Sequence, residues 1–229
     1  MENPFKYGAV VRGRHFADRE REMGELQREM ENLNRVFLVS PRRFGKTCLL
    51  LNLMDALQGS GLTCAYIDLN AFPDIRGLAG ALTGMATQAL ESNTDKLIKI
   101  FSGFKRLRPK VSVNPDGTLS AGVERALDEQ EALAALLEGL AQAEALAAKK
   151  NKRLVIIIDE FSDLEKYNGG TIEKALRSQI QTQQHIGYIF SGSEQSLILA
   201  MIRDPKRAFY KLGRIMELGP IDREAYRAF

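Results

Sequence analysis

An eight-residue loop with the residue types needed to bind phosphate occupies positions 40–47 and reads Ser-Pro-Arg-Arg-Phe-Gly-Lys-Thr. It matches the pattern Gly-x-x-x-x-Gly-Lys-Ser/Thr at every fixed position except the first, where Ser40 replaces glycine. Gly45 leaves room for an anion, Lys46 supplies a positive charge, and the Thr47 hydroxyl is a ligand that Mg²⁺ accepts. The residues that we expect to surround the phosphates are Ser40, Pro41, Arg42, Arg43, Phe44, Gly45, Lys46, Thr47 and Cys48.

Ser40 is a departure from this pattern. If its position requires a positive φ, a serine there costs on the order of 1 kcal/mol. Because the Gly-Lys-Thr segment is intact, we expect an altered loop that still binds phosphate. The alternative is a nucleotide site that has lost its function.

Two acidic residues, Asp159 and Glu160, follow the most apolar segment of the chain, residues 154–158. Such a segment is typical of a central strand whose carboxyl end lies at a ligand crevice. Asp159 would hold Mg²⁺ through water together with Thr47, and Glu160 would activate the water that attacks the γ-phosphate. Glu160 and Lys46 are therefore the predicted catalytic residues. The alternative is a strand that merely ends in two solvated acids.

Short apolar segments alternate with helical ones, which is typical of a parallel sheet covered by helices. We expect an α/β three-layer sandwich of five mostly parallel strands in the order 5-1-4-3-2. Alternating residues on both sides of Asn114-Pro115-Asp116-Gly117 predict an inserted β-hairpin over 110–120. The predicted strands are 36–39, 64–69, 154–158, 186–191 and 213–218, and the predicted helices are 46 to 59 or 61, 76–100, 129–149, 171–184 and 194–203. Leu133, Leu136, Leu137 and Leu140 form the predicted apolar face of the helix over 129–149.

The composition excludes several classes of protein. With 45% hydrophobic and 27% charged residues in 229, the chain is not a disordered tail, a collagen-like repeat or a small disulfide scaffold. A net charge of +3, spread along the chain, does not by itself indicate a nucleic-acid binder. No apolar segment approaches the roughly 20 residues that span a bilayer, so no membrane partner is expected. Cys48 and Cys64 are predicted to be reduced thiols in a cytoplasmic protein.

The phosphate loop and the acidic pair together resemble the archaeal-type P-loop ATPase family, which is related to the STAND and AAA+ branches of the ASCE division. Residues 16–22 (Phe-Ala-Asp-Arg-Glu-Arg-Glu) are similar to a box that in this family precedes the first strand and packs near the adenine. Residues 188–193 resemble its sensor strand, and residues 208–210 and 218–221 resemble its approach to a lid domain.

The resemblance implies ATP and Mg²⁺ as ligands. It implies that Phe16, Arg19 and Glu20 line or brace the adenine pocket and that Ser191 or Ser193 senses the γ-phosphate. Alternatively, Phe16 is a core residue and Arg19 belongs to the first turn of a helix. We expect an ATPase domain over 1–220, with an adenine-side segment over 1–34, and the start of a truncated C-terminal lid domain over 221–229.

The resulting hypothesis is slow hydrolysis of MgATP that drives a conformational switch in a larger multidomain protein. One alternative is a nucleotide-sensing switch without turnover. Another is a DNA-handling ATPase of the origin-recognition type, reaching DNA through a further C-terminal domain; a small-molecule kinase fits the acidic pair less well. Besides nucleotide, a protein partner or a second copy of the chain is expected, and the candidates for an arginine finger acting on such a copy are Arg203, Arg207 and Arg214.

Overall fold

The computed structural model describes residues 11–13, 16, 18–91, 109–113, 119–123 and 127–221. The strands in this part of the chain are β1 (Arg35–Val39), β2 (Thr63–Asp68), β3 (Pro109–Val113), β4 (Leu119–Val123), β5 (Leu154–Asp159), β6 (Ile186–Gly192) and β7 (Arg214–Glu217). Five of them form one sheet in the order β2-β5-β6-β1-β7, with every neighbouring pair parallel. The predicted α/β fold and its strand order are therefore confirmed.

The two remaining strands, β3 and β4, pair antiparallel as a separate two-stranded sheet. Val113 lies opposite Leu119, and Pro109 lies opposite Val123. The predicted hairpin is therefore confirmed, while its turn, residues 114–118, lies outside the described residues.

The helices are α1 (Glu20–Glu31), α2 (Lys46–Gly59), α3 (Ile75–Leu90), α4 (Glu129–Lys150), α5 (Gly169–Ile180) and α6 (Gln195–Arg203). Two shorter 3-10 helices, Leu69–Ala71 and Phe161–Tyr167, follow β2 and β5. The continuous helix predicted over 76–100 is wrong beyond Leu90, because Glu91 has extended backbone angles. Residues 92–100, and residues 222–229 of the predicted lid segment, lie outside the described residues.

Helix α5 ends four residues before its predicted end. The Arg35 guanidinium donates hydrogen bonds to the carbonyl oxygens of Ile180, at 2.9 Å, and Gln183, at 2.5 Å. These bonds satisfy carbonyl groups that a continuing helix would have used, so a distant residue determines where the helix ends.

The sheet is apolar on both faces. Val36 and Leu38 of β1 pack against α1 and α2, whereas Phe37 and Val39 belong to the core on the opposite face. Successive side chains of a strand point to opposite faces, so covering both faces requires the continuous apolar segments seen in the sequence.

Helices α3 and α4 pack closely on the second face. A Cβ atom added to Gly139 of α4 would lie only 1.9 Å from the Thr83 hydroxyl oxygen of α3. The predicted leucine face is correct only in part, because Leu133 and Leu137 are half-buried at its margin. Small side chains make the close approach, and the buried residues of α4 are Ala132, Ala135, Leu136, Gly139, Leu140, Ala143 and Ala147.

Cys48 and Cys64 are both free thiols. Cys48 is half-buried in the first turn of α2, while Cys64 is buried in β2, where burial raises the pKa of its thiol to about 12. Among the described residues, no helix combines the length and apolarity that crossing a bilayer requires.

Candidate functional site

Three polar segments meet at the carboxyl edge of the sheet. β1 leads into the loop at Ser40, β5 ends at Asp159, and β6 ends at Gly192 between them. Val39 pairs with Gly192, and Ile158 pairs with Phe190. This parallel register brings residues 40–47, 159–160 and 191–193 around one opening, which we call the crevice.

The phosphate-loop candidate, residues 40–47, connects β1 to the first turn of α2. Its left-handed residues are Arg43 (φ 69°) and Gly45 (φ 79°), and Ser40 is not among the positive-φ residues of the chain. The strain considered for Ser40 therefore does not arise. Ser40 is fully buried, its N–H donates to the Gly192 carbonyl at 3.4 Å, and its hydroxyl donates to the Pro41 carbonyl at 3.3 Å.

Gly45 is the N-cap of α2, and no side chain among the described residues caps this helix end. A Cβ atom added to Gly45 would meet nothing within 4 Å, so the space beside the loop is open. Uncapped N–H groups at a helix start, facing open space, are suited to an anion. Arg42 and Arg43 are exposed beside this opening.

Lys46 points from α2 into the crevice and is only 6% exposed. Its ammonium donates to Asp159 Oδ1 at 2.5 Å and to Glu160 Oε1 at 3.0 Å. A buried lysine needs such partners, because an unpaired charge in this environment is costly. The structure thus brings the predicted phosphate-binding lysine and both predicted acids into direct contact.

Asp159 is held from several directions. The Ser191 hydroxyl donates to Oδ1 at 2.8 Å, the Tyr66 hydroxyl donates to Oδ2 at 2.9 Å, and the Thr47 hydroxyl lies 3.3 Å from Oδ2. Burial alone would raise the pKa of Asp159. Together, the Lys46 charge and the hydrogen bonds from Lys46, Ser191 and the Glu160 N–H outweigh burial, and the pKa of Asp159 is held below its usual value. The carboxylate is therefore ionised at neutral pH.

Tyr66 was not among the residues predicted from the sequence. It lies on β2, its side chain shares a sheet face with Asp159, and burial followed by the Asp159 charge raises the pKa of its hydroxyl. It therefore remains a protonated donor. A signal for it existed, because the predicted order 5-1-4-3-2 places β2 beside the acidic strand.

Glu160 adopts a left-handed backbone conformation with φ 48°. Its Oε2 accepts hydrogen bonds from the Ser193 N–H at 3.1 Å and the Ser193 hydroxyl at 2.9 Å. The next residue, Phe161, anchors this turn in the core, with its ring 4.6 Å from that of Phe190 and 5.2 Å from that of Phe209 between centroids. Strained backbone fixed by surrounding packing is a common feature of functional sites.

The two serines that the sequence could not separate contact different acids. Ser191 is buried and bonds to Asp159, whereas Ser193 is half-buried and bonds to Glu160. The Ser193 hydroxyl also accepts a bond from Arg42 Nε at 3.4 Å. Ser193 is therefore the one that touches both the phosphate loop and the second acid.

The N-terminal segment lies along α2. Gly13 N–H donates to the Asn52 side chain at 2.8 Å, and the Asn52 amide donates back to the Val11 carbonyl at 2.9 Å. Phe16 is half-buried and packs against the core under α1 and α2. Arg19 is buried, and the three hydrogen bonds described for its guanidinium all go to protein groups.

The three candidate arginine fingers are all paired within the chain. Arg207 contacts Glu165 and the buried Glu173. Arg214 contacts Glu25 and Glu29, each at 2.7 Å. Arg203 pairs with Glu217 at 3.2 Å, but its side chain is 59% exposed. Because an exposed ion pair contributes little free energy, separating Arg203 from Glu217 should cost the least of the three.

Comparison with solved structures returns P-loop ATPases of archaea. A Walker-type ATPase of Pyrococcus abyssi superposes with a TM-score of 0.64 at 20% identity, over 97% of this chain and 59% of that one. The ORC1 protein of Aeropyrum pernix, solved in complex with DNA, superposes with a TM-score of 0.58 at 14% identity, over 97% of this chain and 49% of that one. For Cdc6p of Pyrobaculum aerophilum the TM-score is 0.55 at 14% identity, over 97% of this chain and 50% of that one.

These likenesses show that the chain has an α/β fold matching that of P-loop ATPases, in agreement with the resemblance noted in the sequence. The chain spans about half the length of the proteins it resembles. Neither a protein-family model nor a curated protein matches the sequence.

Proposed function

We propose that this chain binds MgATP in the crevice and hydrolyses it slowly, with a water activated by Glu160, to drive a conformational switch in a larger multidomain protein. One observation carries the proposal. The Lys46 ammonium lies 2.5 Å from Asp159 and 3.0 Å from Glu160, although 113 and 114 residues separate these groups in the chain. This lysine and this pair of acids are the groups that phosphoryl transfer to water requires.

The donor set fits Mg²⁺. The Thr47 hydroxyl and the Asp159 carboxylate present oxygen atoms 3.3 Å apart beside the open loop, and Mg²⁺ prefers oxygen ligands and usually keeps several waters. We assign Thr47 and Asp159 as the residues that hold the ion. When bound, the ion would neutralise part of the negative charge of the phosphates.

The remaining roles belong to the chain's own side chains. Lys46 exchanges its carboxylate partners for phosphate oxygens, which frees Glu160 Oε1 to accept a proton from water. Ser193 holds the other oxygen of Glu160, and so orients it. Ser191 orients Asp159 in the same way.

The loop residues 40–48 surround the phosphates, and residues 1–34 form the side of the site that receives the base, near Phe16. The path of residues 11–13 along α2 supports this placement. We assign residues 1–220 to the ATPase domain and residues 221–229 to the start of a lid. A second copy of the chain, supplying Arg203, is the partner that the exposure of this arginine favours.

The test compares nucleotide binding and phosphate release in the parent, Lys46→Ala and Glu160→Gln proteins. Removing the lysine charge should weaken ATP binding about 100-fold, equivalent to about 2.7 kcal/mol. Glu160→Gln should bind ATP as the parent does but release phosphate at least about 100-fold more slowly. Competition between ATP and GTP reports base preference.

Matched controls are Lys166→Ala, whose side chain is 59% exposed, and Glu31→Gln, which is exposed at the end of α1. Both should behave as the parent. Equal ATP affinity in parent and Lys46→Ala would remove the role given to the loop. Normal binding without any phosphate release, in the chain and in the longer protein, would instead leave a nucleotide-sensing switch.

A second candidate function is handling of DNA. It is favoured by the likeness to the Aeropyrum pernix ORC1 protein, which was solved in complex with DNA. Anisotropy of a labelled duplex, measured with and without MgATP over a salt series, tests it. Binding that weakens steeply with salt and strengthens with nucleotide supports this function, and an unchanged anisotropy contradicts it.

A further inference from the structure

Arg19 is the buried cation of the N-terminal segment, with 3% of its surface exposed. It adopts φ 83°, a left-handed conformation that costs a residue other than glycine about 1 kcal/mol. Its carbonyl accepts the Met23 N–H at 2.7 Å as α1 begins. Such a conformation persists only where several contacts fix the residue.

The guanidinium joins three parts of the molecule. Nη1 bonds to Glu22 at 3.0 Å in the first turn of α1. Nη2 bonds to the Phe44 carbonyl at 3.3 Å and to the Gly219 carbonyl at 2.7 Å. One side chain therefore ties the start of α1 to the phosphate loop and to the chain that follows β7.

The two carbonyl groups lie at the ends of neighbouring segments. Phe44 directly precedes Gly45, the N-cap of α2. Gly219 follows Leu218, whose N–H makes the final sheet bond to the Val39 carbonyl at 2.9 Å, and Val39 directly precedes the phosphate loop. The backbone bond therefore links the start of the loop to the exit from the sheet, and Arg19 links the later part of the loop, at Phe44, to the same exit.

Gly219, Pro220 and Ile221 are exposed. The hydrogen bonds described at this exit are the Leu218 bond to Val39 and the Arg19 bond to the Gly219 carbonyl. The Phe44 carbonyl moves with the loop, and an anion that fixes the loop also fixes this acceptor. A ligand that stabilises the hydrogen bond between Arg19 and the Phe44 carbonyl therefore also favours the arginine conformation that bonds to the Gly219 carbonyl.

We propose that Arg19 is a positioning residue that couples occupancy of the phosphate loop to the position of the chain leaving β7. The coupling rests on the proposed function, because it needs a ligand at the loop. By reciprocity, fixing residues 219–221 also favours the nucleotide-bound loop, by the same factor.

Hydrogen exchange of the Gly219 and Ile221 amides, read by mass spectrometry, tests the coupling. The full chain is measured with and without the Mg²⁺ complex of a non-hydrolysable ATP analogue, alongside direct measurement of its affinity. In the parent, the analogue should slow exchange at these amides about fivefold or more. In Arg19→Met this slowing should vanish, and the affinity for the analogue should fall by the same factor by which the analogue slows exchange in the parent.

Two further variants separate positioning from general stability. Arg76→Met removes an arginine outside the base-side segment, whose side chain is 49% exposed and paired with Asp74, and it should behave as the parent. Arg19→Lys keeps the charge but lacks the planar fork that reaches two carbonyls, so its slowing should be smaller than that of the parent. A purely structural role would raise exchange equally with and without the analogue.

The outcomes are distinct. If the parent does not bind the analogue, the proposed function fails and the coupling fails with it. If the parent binds it but exchange at residues 219–221 is unchanged, the coupling alone is overturned, whether or not Arg19→Met folds. Retained slowing in a folded Arg19→Met protein overturns the role of Arg19 and leaves the proposed function standing.

Discussion

The crevice and the α3–α4 helix pair are both tightly packed, but with different chemistry. In the crevice, Lys46, Asp159 and Ser191 are almost fully buried, and each has hydrogen-bond partners. The backbone around them is strained, with positive φ at Arg43 and Glu160. Polar groups are thus held in fixed positions at an energetic cost.

The helix pair has the opposite character. Its contact is made by small and apolar side chains, and Gly139 allows α4 to lie directly against Thr83. The Thr83 hydroxyl oxygen is buried and has no hydrogen-bond partner in the described part of the chain. Helices α3 and α4 therefore approach closely, and the Thr83 hydroxyl is left without a hydrogen-bond partner among the described residues.

This difference implies that the free energy of unfolding and ligand binding can be changed separately, the first through the helix pair and the second through the crevice. Substitutions between α3 and α4 should alter the free energy of unfolding and leave ligand binding as it is. Substitutions in the crevice should alter metal and nucleotide binding more than stability. The following predictions test this separation, from the largest expected effect to the smallest.

Gly139→Ala should lower the free energy of unfolding by about 2–3 kcal/mol, because the new methyl group would overlap the Thr83 side chain. Urea unfolding measures the change, and nucleotide affinity should stay as in the parent. The matched control is Gly24→Ala in α1, where a Cβ atom would meet only Arg28 Nη1 at 3.9 Å. That variant should gain up to about 1 kcal/mol from helix propensity. Parent-like stability in Gly139→Ala would mean that the helices separate freely.

Tyr66→Phe should raise the Mg²⁺ concentration needed for half-maximal nucleotide binding about tenfold, because Asp159 loses a group that orients it. Titration of a fluorescent ATP analogue with Mg²⁺ measures this. Tyr167→Phe is the control, since its hydroxyl bonds to the Leu69 and Phe72 carbonyls away from the crevice. Tyr167→Phe should lower the free energy of unfolding about as much as Tyr66→Phe does, while the Mg²⁺ concentration needed for half-maximal nucleotide binding should stay as in the parent. The same shift in both variants would contradict an orienting role for Tyr66.

Thr83→Val should raise the free energy of unfolding by about 1 kcal/mol, because it removes a buried hydroxyl that has no partner among the described residues. Thr87→Val, one turn further along α3, is the matched variant. The Thr87 hydroxyl donates to the Thr83 carbonyl at 2.8 Å, so its loss should cost about 0.5–1 kcal/mol. A loss of stability in Thr83→Val, as in Thr87→Val, would show that the Thr83 hydroxyl does have a hydrogen-bond partner.

Ser40→Gly should lower the free energy of unfolding by about 0.5–1 kcal/mol, since glycine loses more backbone entropy and this position has no positive φ to favour it. Affinity for ATP and phosphate release should remain within about twofold of the parent. A severalfold gain in either would show that serine impairs the loop.

The sheet order and the meeting of the loop with the acids were predictable from the sequence. The strands and the site residues follow from local signals, namely apolar segments, a glycine before a lysine, and acids at a strand end, whereas the strand order is what the family resemblance implies. The end of α5 was not predictable, because it depends on Arg35, which is 145 and 148 residues away from its two acceptors.

The buried face of α4 was only partly predictable. Hydrophobicity favours leucine as the core residue, but close helix packing selects alanine and glycine at the contact, and only the neighbour α3 reveals this. The contact between Ser193 and Glu160 likewise depends on the turn after Asp159, where Glu160 takes positive φ. No residue type in that segment signals such a turn.

The exposure of Arg42 and Arg43 has a kinetic consequence. Among the described residues, these two cations stand at the rim, outside Lys46 and its two carboxylate partners, so a dissolved polyanion meets positive charge there before it reaches the acids. Because solvent-exposed charges are screened by salt, ionic strength should govern how fast such a molecule arrives rather than how long it stays.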